Sequence, residues 1–200
     1  AVGIQQFREL NQVENYLDEE QLQRLLTVLK KDKNRTVCGI VLFLLSTGAR
    51  LNEALQARWF LIDVEHRVWR IPATNSKSGR VRAVPLNDAA LEVLSRQDTE
   101  GEFEHVFINR QTDLPYTTIQ KVWERLRKKA GLEHVRIHDL RHSYASMLVN
   151  SGRSLYEVQQ ILGHSNPKVT QRYSHLSTAT LQDAAGSAAD RISEALKKAS

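Results

Sequence analysis

The densest group of reactive side chains is His138-Asp139-Leu140-Arg141-His142, followed by an apolar run from Tyr144 to Val149. On a helix, His138 and Arg141 share a face, and His142, four residues beyond His138, can share it too. As a zinc site, the two histidines have the spacing of an H-E-x-x-H helix, with Asp139 in the place of the glutamate. Two features count against that chemistry. Asp139 is one methylene shorter than the general base the motif needs, and Arg141 would set a fixed cation beside a divalent metal. Serine hydrolysis through Ser46 or Ser143 lacks the G-x-S-x-G elbow, and Ser143 adjoining His142 in sequence does not make a triad. Phosphoryl transfer fits the arginines better. Arg50 follows the Thr47-Gly48 break and opens a short helix, and Arg141 lies in the histidine cluster. Two planar, permanently charged guanidinium forks on one phosphodiester would neutralise the charge that develops in the transition state. Glu53, one helical turn after Arg50, can brace that guanidinium or form a surface pair of little value. The bland alternative for the whole cluster is a helical turn of solvated charges.

Downstream stand Leu162-Gly163-His164-Ser165 and Thr170-Gln171-Arg172-Tyr173-Ser174-His175. A lone tyrosine such as Tyr173 is commonly an interfacial core residue. As a nucleophile its phenol, with a reference pKa of about 10, needs a base or a strongly positive pocket. The neighbouring histidines and arginines supply both.

These groups must be positioned by elements that the sequence periodicity outlines. Asp18 is a suitable N-cap for a helix carrying Leu22, Leu25, Leu26 and Leu29 on one side. A second helix, from about Thr36 to Ser46, is apolar nearly all round and therefore buried. A short helix runs through Leu51 to Ala57. The period then changes to strands at Leu61–Val64, Val68–Ile71 and Val81–Val84, the last reached across the Asn75–Gly79 turn. Helix returns at about Asp88–Arg96, a weak strand signal covers Phe103–Ile108, and further helices follow at about 117–130, 138–150, 154–162 and 166–173. The stretch 179–198 sets Leu181, Ala184, Ala185, Ala188, Ile192 and Leu196 on one side. The fold class is thus mainly α with a small antiparallel β-sheet.

Composition narrows the setting. The 200 residues contain 41% hydrophobic and 26% charged side chains, enough to build a packed core and inconsistent with wholesale disorder. No apolar run approaches the roughly 20 residues that span a bilayer. The single cysteine, Cys38, can form neither an internal disulfide nor a multi-thiolate zinc site, which suits a reducing, cytoplasmic setting. Lys and Arg number 28 against 23 acidic residues, a net charge of +5 that hints at a polyanionic partner.

The order Arg50, Lys77, His138-x-x-Arg141, His164, Tyr173 resembles that of the tyrosine recombinases, the phage-type integrase family. The matching stretches are S-T-G-A-R-L-N-E-A-L, the N-S-K-S-G-R-V-R-A-V-P-L hairpin, H-D-L-R-H-S-Y-A-S, L-G-H-S and T-Q-R-Y-S-H, spread over residues 46–175. The resemblance implies the catalytic-domain fold of that family and DNA strand exchange that needs no metal, cofactor or external energy. Tyr173 would attack the scissile phosphate to form a 3′-phosphotyrosyl link and release a 5′-hydroxyl. Arg50 and Arg141 would clamp the non-bridging oxygens, and Lys77, placed two before the turn glycine Gly79, would protonate the leaving oxygen. His138 would act as the base near the tyrosine, and His164 would hydrogen-bond the phosphate. Type IB topoisomerases share the tyrosine mechanism but match this size and domain content less well. A DNA-binding regulator that keeps the fold without cutting is a further class, against which the full set of reactive residues argues.

The family places a DNA-gripping helical domain before this one. Residues 1–16 accordingly read as a linker, 17–178 as the catalytic domain, and 179–200 as a C-terminal helix that either passes to a neighbouring subunit or packs on its own domain. The expected partner is double-stranded DNA, with self-association in a tetrameric synapse by family resemblance. On this reading the protein belongs to a phage or other mobile element and is cytoplasmic, associated with the nucleoid when bound to DNA. Candidate DNA contacts are Arg80 and Arg82 on the hairpin and Lys121, Arg125 and Lys128 on one helix. A solvated basic face is the equal alternative for the helix.

Overall fold

The computed structural model describes residues 15–75, 79, 81–177 and, farther on, Gln182, Gly186, Arg191 and Lys197, which are helical and exposed. Lys77, Arg80, residues 1–14 of the expected linker and the apolar positions expected along 179–198 lie outside the described residues.

Helix α1 (Glu19–Lys31) begins in a capping box: Asp18 Oδ1 accepts from the Gln21 amide at 2.7 Å, and Gln21 Oε1 accepts from the Asp18 amide at 3.1 Å. Helix α2 (Arg35–Thr47) is buried on nearly every side, as its apolar run requires, and packs against α4 (Asp88–Ser95) and α6 (Asp139–Asn150). Phe43 on α2 meets the rings of Trp69 and Phe107, with centroids 5.2 and 5.6 Å away. These contacts form the centre of the main core. A smaller cluster of Ala145, Val149, Val158, Leu162 and Tyr173 lies between α6, α7 (Leu155–Leu162) and the turn after α8 (Pro167–Gln171).

The sheet is antiparallel in the order β1 (Ile62–Asp63), β2 (Val68–Ile71), β3 (Arg82–Pro85), with Trp69 opposite Val84 and Ile71 opposite Arg82. The first strand is shorter than expected because residues 59–61 form a 3-10 turn. The third starts one residue later. Of the expected strand at 103–108 only Ile108 pairs within a ladder, as part of β4 (Ile108–Asn109) with β5 (Leu114–Pro115). The preceding backbone instead bonds to the segment after α3 (Leu51–Leu55): the Trp59 amide donates to Glu104 O and the Val106 amide to Ala57 O. Helix α5 (Gln120–Lys129) is shorter than the expected 117–130. The helix expected at 166–173 stops at Gln171 and continues as a turn at Arg172–Tyr173 and a 3-10 segment at Ser174–Ser177. No helix among the described residues is long and apolar enough to cross a membrane.

Asp32, at the C-terminus of α1, is buried and joins α1 to α5. Arg125 donates to both carboxylate oxygens, with Nη2 at 2.9 Å from Oδ1, and Lys129 Nζ lies 3.2 Å from Oδ2. The Arg125 hydrogen bonds hold this carboxyl far below the usual range despite its burial. A depressed folded-state pKa means stability that is present above the unfolded carboxyl's pKa of about 4 and lost as pH falls below it. Asp32→Asn is therefore expected to cost about 1–3 kcal/mol near neutrality, because the buried carboxylate gives up its charge-assisted bonds to two solvent-exposed partners. Urea denaturation at successively lower pH should show the gap between wild type and variant narrowing below about pH 4. A gap that is constant across that range contradicts the ion pair's role.

Candidate active site

Four segments meet where the C-terminus of α2, the start of α3, the start of α6 and the end of α7 come together. Gly48 ends α2 in the left-handed region (φ 62°), where a Cβ would lie 2.4 Å from Tyr144 Cδ1. Only glycine lets the chain turn this close to α6. Two residues later Arg50 occupies the N-cap of α3. Its amide donates to Glu53 Oε2 and its Nη1 to Oε1, both at 2.8 Å. Glu53 is thus a buried brace, the first of the two readings its spacing allowed.

Glu53 has a second partner. Arg82 Nη2 donates to Oε2 at 2.5 Å, and Arg82 Nη1 donates to Ile161 O and Leu162 O at 2.9 and 3.1 Å. Arg82 is buried, so its expectation as a DNA contact is corrected: this guanidinium ties α3 to the end of α7. The signal was available in the alternation of β3, where Arg82 shares the buried face with Val84. Arg141 completes the junction, with Nη1 donating to Gly48 O at 2.6 Å and Nη2 to Leu162 O at 2.7 Å. Gly163, at φ 65°, closes α7 against Arg82, whose Cδ would lie 2.2 Å from an added Cβ.

Asp139, the aspartate of the zinc reading, is fully buried at the start of α6. It accepts from the Arg136 amide at 2.8 Å and from Arg136 Nη2 at 2.8 Å, fixing the first turn that carries His138, Arg141 and His142. Among the described residues, no three His, Cys, Asp or Glu side chains cluster as metal ligands.

One histidine reaches Tyr173 directly, and two more stand near it. His142 Nδ1 lies 2.5 Å from the Tyr173 hydroxyl, and the His138 ring meets His142 edge-on with centroids 5.1 Å apart. His164 Nδ1 is 2.8 Å from Thr170 Oγ1, which leaves Nε2 as its other polar atom. Burial, with the charges of Arg141 and Arg50 nearby, pushes His164 down to about 3. Burial, His138 and Arg172 push His142 to about 4. His138 is lowered chiefly by burial and Arg141. All three rings are neutral near pH 7, so each offers one acceptor and one donor nitrogen. Burial, Arg50 and Arg82 lower the Arg141 guanidinium to about 9, still charged at neutrality. Tyr173 is 1% exposed and belongs to the smaller core cluster, so it is a core tyrosine and also a hydrogen-bonded phenol within a cationic pocket. Fixed guanidinium groups and neutral imidazoles around a phenol are the equipment for attack on a phosphodiester, since they stabilise developing negative charge without reorganising.

The structure brings together Arg50, Glu53, His138, Arg141, His164 and Tyr173. Sequence reasoning did not single out His142 as the partner of Tyr173; its place beside Arg141, one helical turn from His138, was the available clue. On α5, Lys121 and Lys128 are exposed, whereas Arg125 is engaged with Asp32 and remains only partly available to a ligand.

The sequence profile of the phage integrase family matches residues 15–180. The tyrosine recombinase XerA of Saccharolobus solfataricus is 35% identical over 160 residues, covering 80% of this chain and 52% of that protein. The integrase of Salmonella phage P22 is 33% identical over 150 residues, covering 69% of this chain and 38% of its own length. Among solved structures, the crystal structure of XerA recombinase matches with a TM-score of 0.70 and 25% identity over 89% of this chain and 65% of that one. The catalytic domain of bacteriophage HP1 integrase shares the fold, with a TM-score of 0.67 at 24% identity over 86% of this chain and 93% of that one. The chain spans about half the length of the XerA relative it matches. A profile match over most of the chain, on the fold of recombinase catalytic domains and with the expected motif order, places this chain in the phage integrase family of tyrosine recombinases.

Proposed function

We propose that this chain is the catalytic domain of a site-specific DNA recombinase or integrase that cuts and rejoins strands through a 3′-phosphotyrosyl intermediate. The observation that carries the reading is the Tyr173 hydroxyl, hydrogen-bonded to His142 beside the Arg50–Glu53–Arg82–Arg141 junction. Relatives named as tyrosine recombinases and integrases support it. So does XerH site-specific recombinase, 26% identical, whose structure is that of a complex with palindromic difH substrate.

In this mechanism Arg50 and Arg141 bracket the non-bridging oxygens of the scissile phosphate, and His164 hydrogen-bonds the same group. Charge stabilisation by fixed donors is the largest contribution expected at such a centre. Lys77 delivers the proton to the leaving 5′-oxygen, and His138 lies next in the polar chain behind the tyrosine. Because Tyr173 is buried, contact with DNA requires the segment after α7 to shift and present the hydroxyl. The phosphotyrosyl bond conserves the energy of the phosphodiester, so rejoining needs no external supply. The partner is double-stranded DNA, held in part by Lys121 and Lys128, with a tetrameric synapse as the working assembly in the cytoplasm. Residues 1–16 serve as the linker from a DNA-gripping domain, and the 179–200 segment either engages a neighbouring subunit or packs on its own domain.

The test is a nicked suicide duplex carrying the junction sequence of the protein's own element. Wild type is expected to form a covalent adduct and Tyr173→Phe none, while Tyr144→Phe and Tyr156→Phe retain it. Failure of the wild type to form any adduct overturns the reading, as does an adduct that persists in Tyr173→Phe.

A further inference from the structure

We infer that Arg82 is a positioning residue of the strand-cleaving site: one buried guanidinium holds the Arg50 fork, through Glu53, and the end of α7 that leads to His164. The inference deepens the recombinase reading above and rests on it. Side chains and carbonyls close a ring at this point. Arg141 donates to Gly48 O and Leu162 O, and Arg82 Nη1 donates to the same Leu162 O. Arg82 Nη2 donates to Glu53 Oε2, and Arg50 Nη1 donates to Glu53 Oε1. Arg50 stands two residues after Gly48, so the backbone joins the two ends. The ring takes in the end of α2, α3, β3, α6 and the end of α7, and Arg82 is its member from the sheet.

Burial divides the ring into holders and a reader. Arg82 is 8% exposed, Glu53 2% and Arg141 4%, whereas the Arg50 side chain is 23% exposed and keeps access to a ligand. Buried side chains locked by their own hydrogen bonds set where the accessible fork stands. At the other end, Ile161 O and Leu162 O belong to the last turn of α7, where unsatisfied carbonyls and the helix dipole favour a cation. Gly163 follows, with the place of a Cβ only 2.2 Å from Arg82 Cδ, so the chain crosses the arginine stem just before it reaches His164. Lys77 precedes Arg82 by five residues, so Arg82 also fixes the point at which that segment joins the site. No member of the ring lies in the segment after α7. The ring therefore does not depend on where the Tyr173 hydroxyl stands.

The consequence for the reaction is geometric. A guanidinium fork stabilises a phosphoryl transition state only from the correct place, and a shift of about 1 Å can cost about 10²-fold in rate. Without Arg82, Glu53 keeps Arg50 but loses its tie to α7, and the two halves of the ring are free to move apart. Lysine at this position keeps a charge for Glu53 but cannot span the carboxylate and both carbonyls.

Single-turnover adduct formation on the suicide duplex is compared in wild type, Arg82→Met, Arg82→Lys, Arg50→Lys and the double variant Arg50→Lys/Arg82→Met. DNA affinity over a range of salt and unfolding midpoints are measured on the same proteins, and rates are taken well below every midpoint. Arg82→Met is expected to cleave about 10²-fold more slowly. Its Kd for the uncleaved duplex should stay within about threefold of wild type with an unchanged salt slope, because a buried guanidinium gives up no phosphate contact. Arg82→Lys should recover less than about tenfold of the lost rate. In the Arg50→Lys background, where no fork is left to hold, Arg82→Met should cost no more than about tenfold further. Should Arg82→Met fail to fold, Arg82→Lys carries the same comparisons. A folded Arg82→Met that cleaves within about threefold of wild type overturns the role, since one misplaced clamp costs more than that. A salt slope lower by about 1, with affinity falling as far as rate, overturns it in favour of a direct phosphate contact. An equal loss of about 10²-fold in both backgrounds overturns it in favour of packing that acts independently of Arg50. Wild type that forms no adduct overturns the recombinase reading itself and this role with it.

Discussion

Arg141→Ala is expected to slow strand cleavage by about 10²–10³-fold or more in single-turnover assays, the loss seen when a fixed oxyanion donor is removed. The cause is specific to this guanidinium. Its two Nη groups are pinned to Gly48 O and Leu162 O, so its charge is held in place by the backbone of two other segments. Arg141→Lys should recover little, because a flexible point charge cannot span both carbonyls. Removal also leaves the Gly48 carbonyl short of a donor, at about 1–3 kcal/mol, while Leu162 O keeps its bond from Arg82, so a lower unfolding midpoint is expected alongside the lost activity. Cleavage within about tenfold of wild type would contradict the clamp, since that loss is smaller than one well-placed donor supplies.

Glu53→Ala is expected to have the largest effect on stability. The carboxylate lies between Arg50 and Arg82, and Arg82 is buried. Without Glu53, the Arg82 guanidinium keeps only the carbonyls of Ile161 and Leu162 among its partners described above, and no counter-charge in this junction. Breaking a buried pair on one side costs about 3–5 kcal/mol, because the remaining charge is uncompensated. Chemical denaturation measures the loss directly. Combining Glu53→Ala with Arg82→Met should recover much of it, since the stranded charge goes with the arginine. A double variant no more stable than Glu53→Ala would show that the cost arises elsewhere, for example in the cap of Arg50. Cleavage should remain impaired in the double variant even where stability returns, because Arg50 has lost its brace.

These expectations separate what could be read along the chain from what could not. The capping box at Asp18, the buried α2 and the Gly48 and Gly163 stops were legible because each depends on residues within a few positions. Short strands were harder to place. The segment at 103–108 carries strand-forming residues, but its backbone bonds were claimed by residues 57–59, a pairing invisible from its own composition. The helix expected to reach Tyr173 stopped early for a related reason: Tyr173 packs into a core shared with α6 and α7, and that packing overrides a weak local preference.

The sequence by itself determined the family, the mainly helical fold with its small sheet, and which residue types carry the chemistry. Periodicity and motif order are local properties that survive without coordinates. Only the tertiary structure decided that Arg82 faces inward to Glu53 rather than outward to DNA, that Glu53 braces two arginines, and that His142 rather than His138 touches the Tyr173 hydroxyl. Each of those outcomes depends on how separate elements pack. A side chain's charge is a property of its residue, but its partner is set by whichever distant backbone and side chains share its buried space.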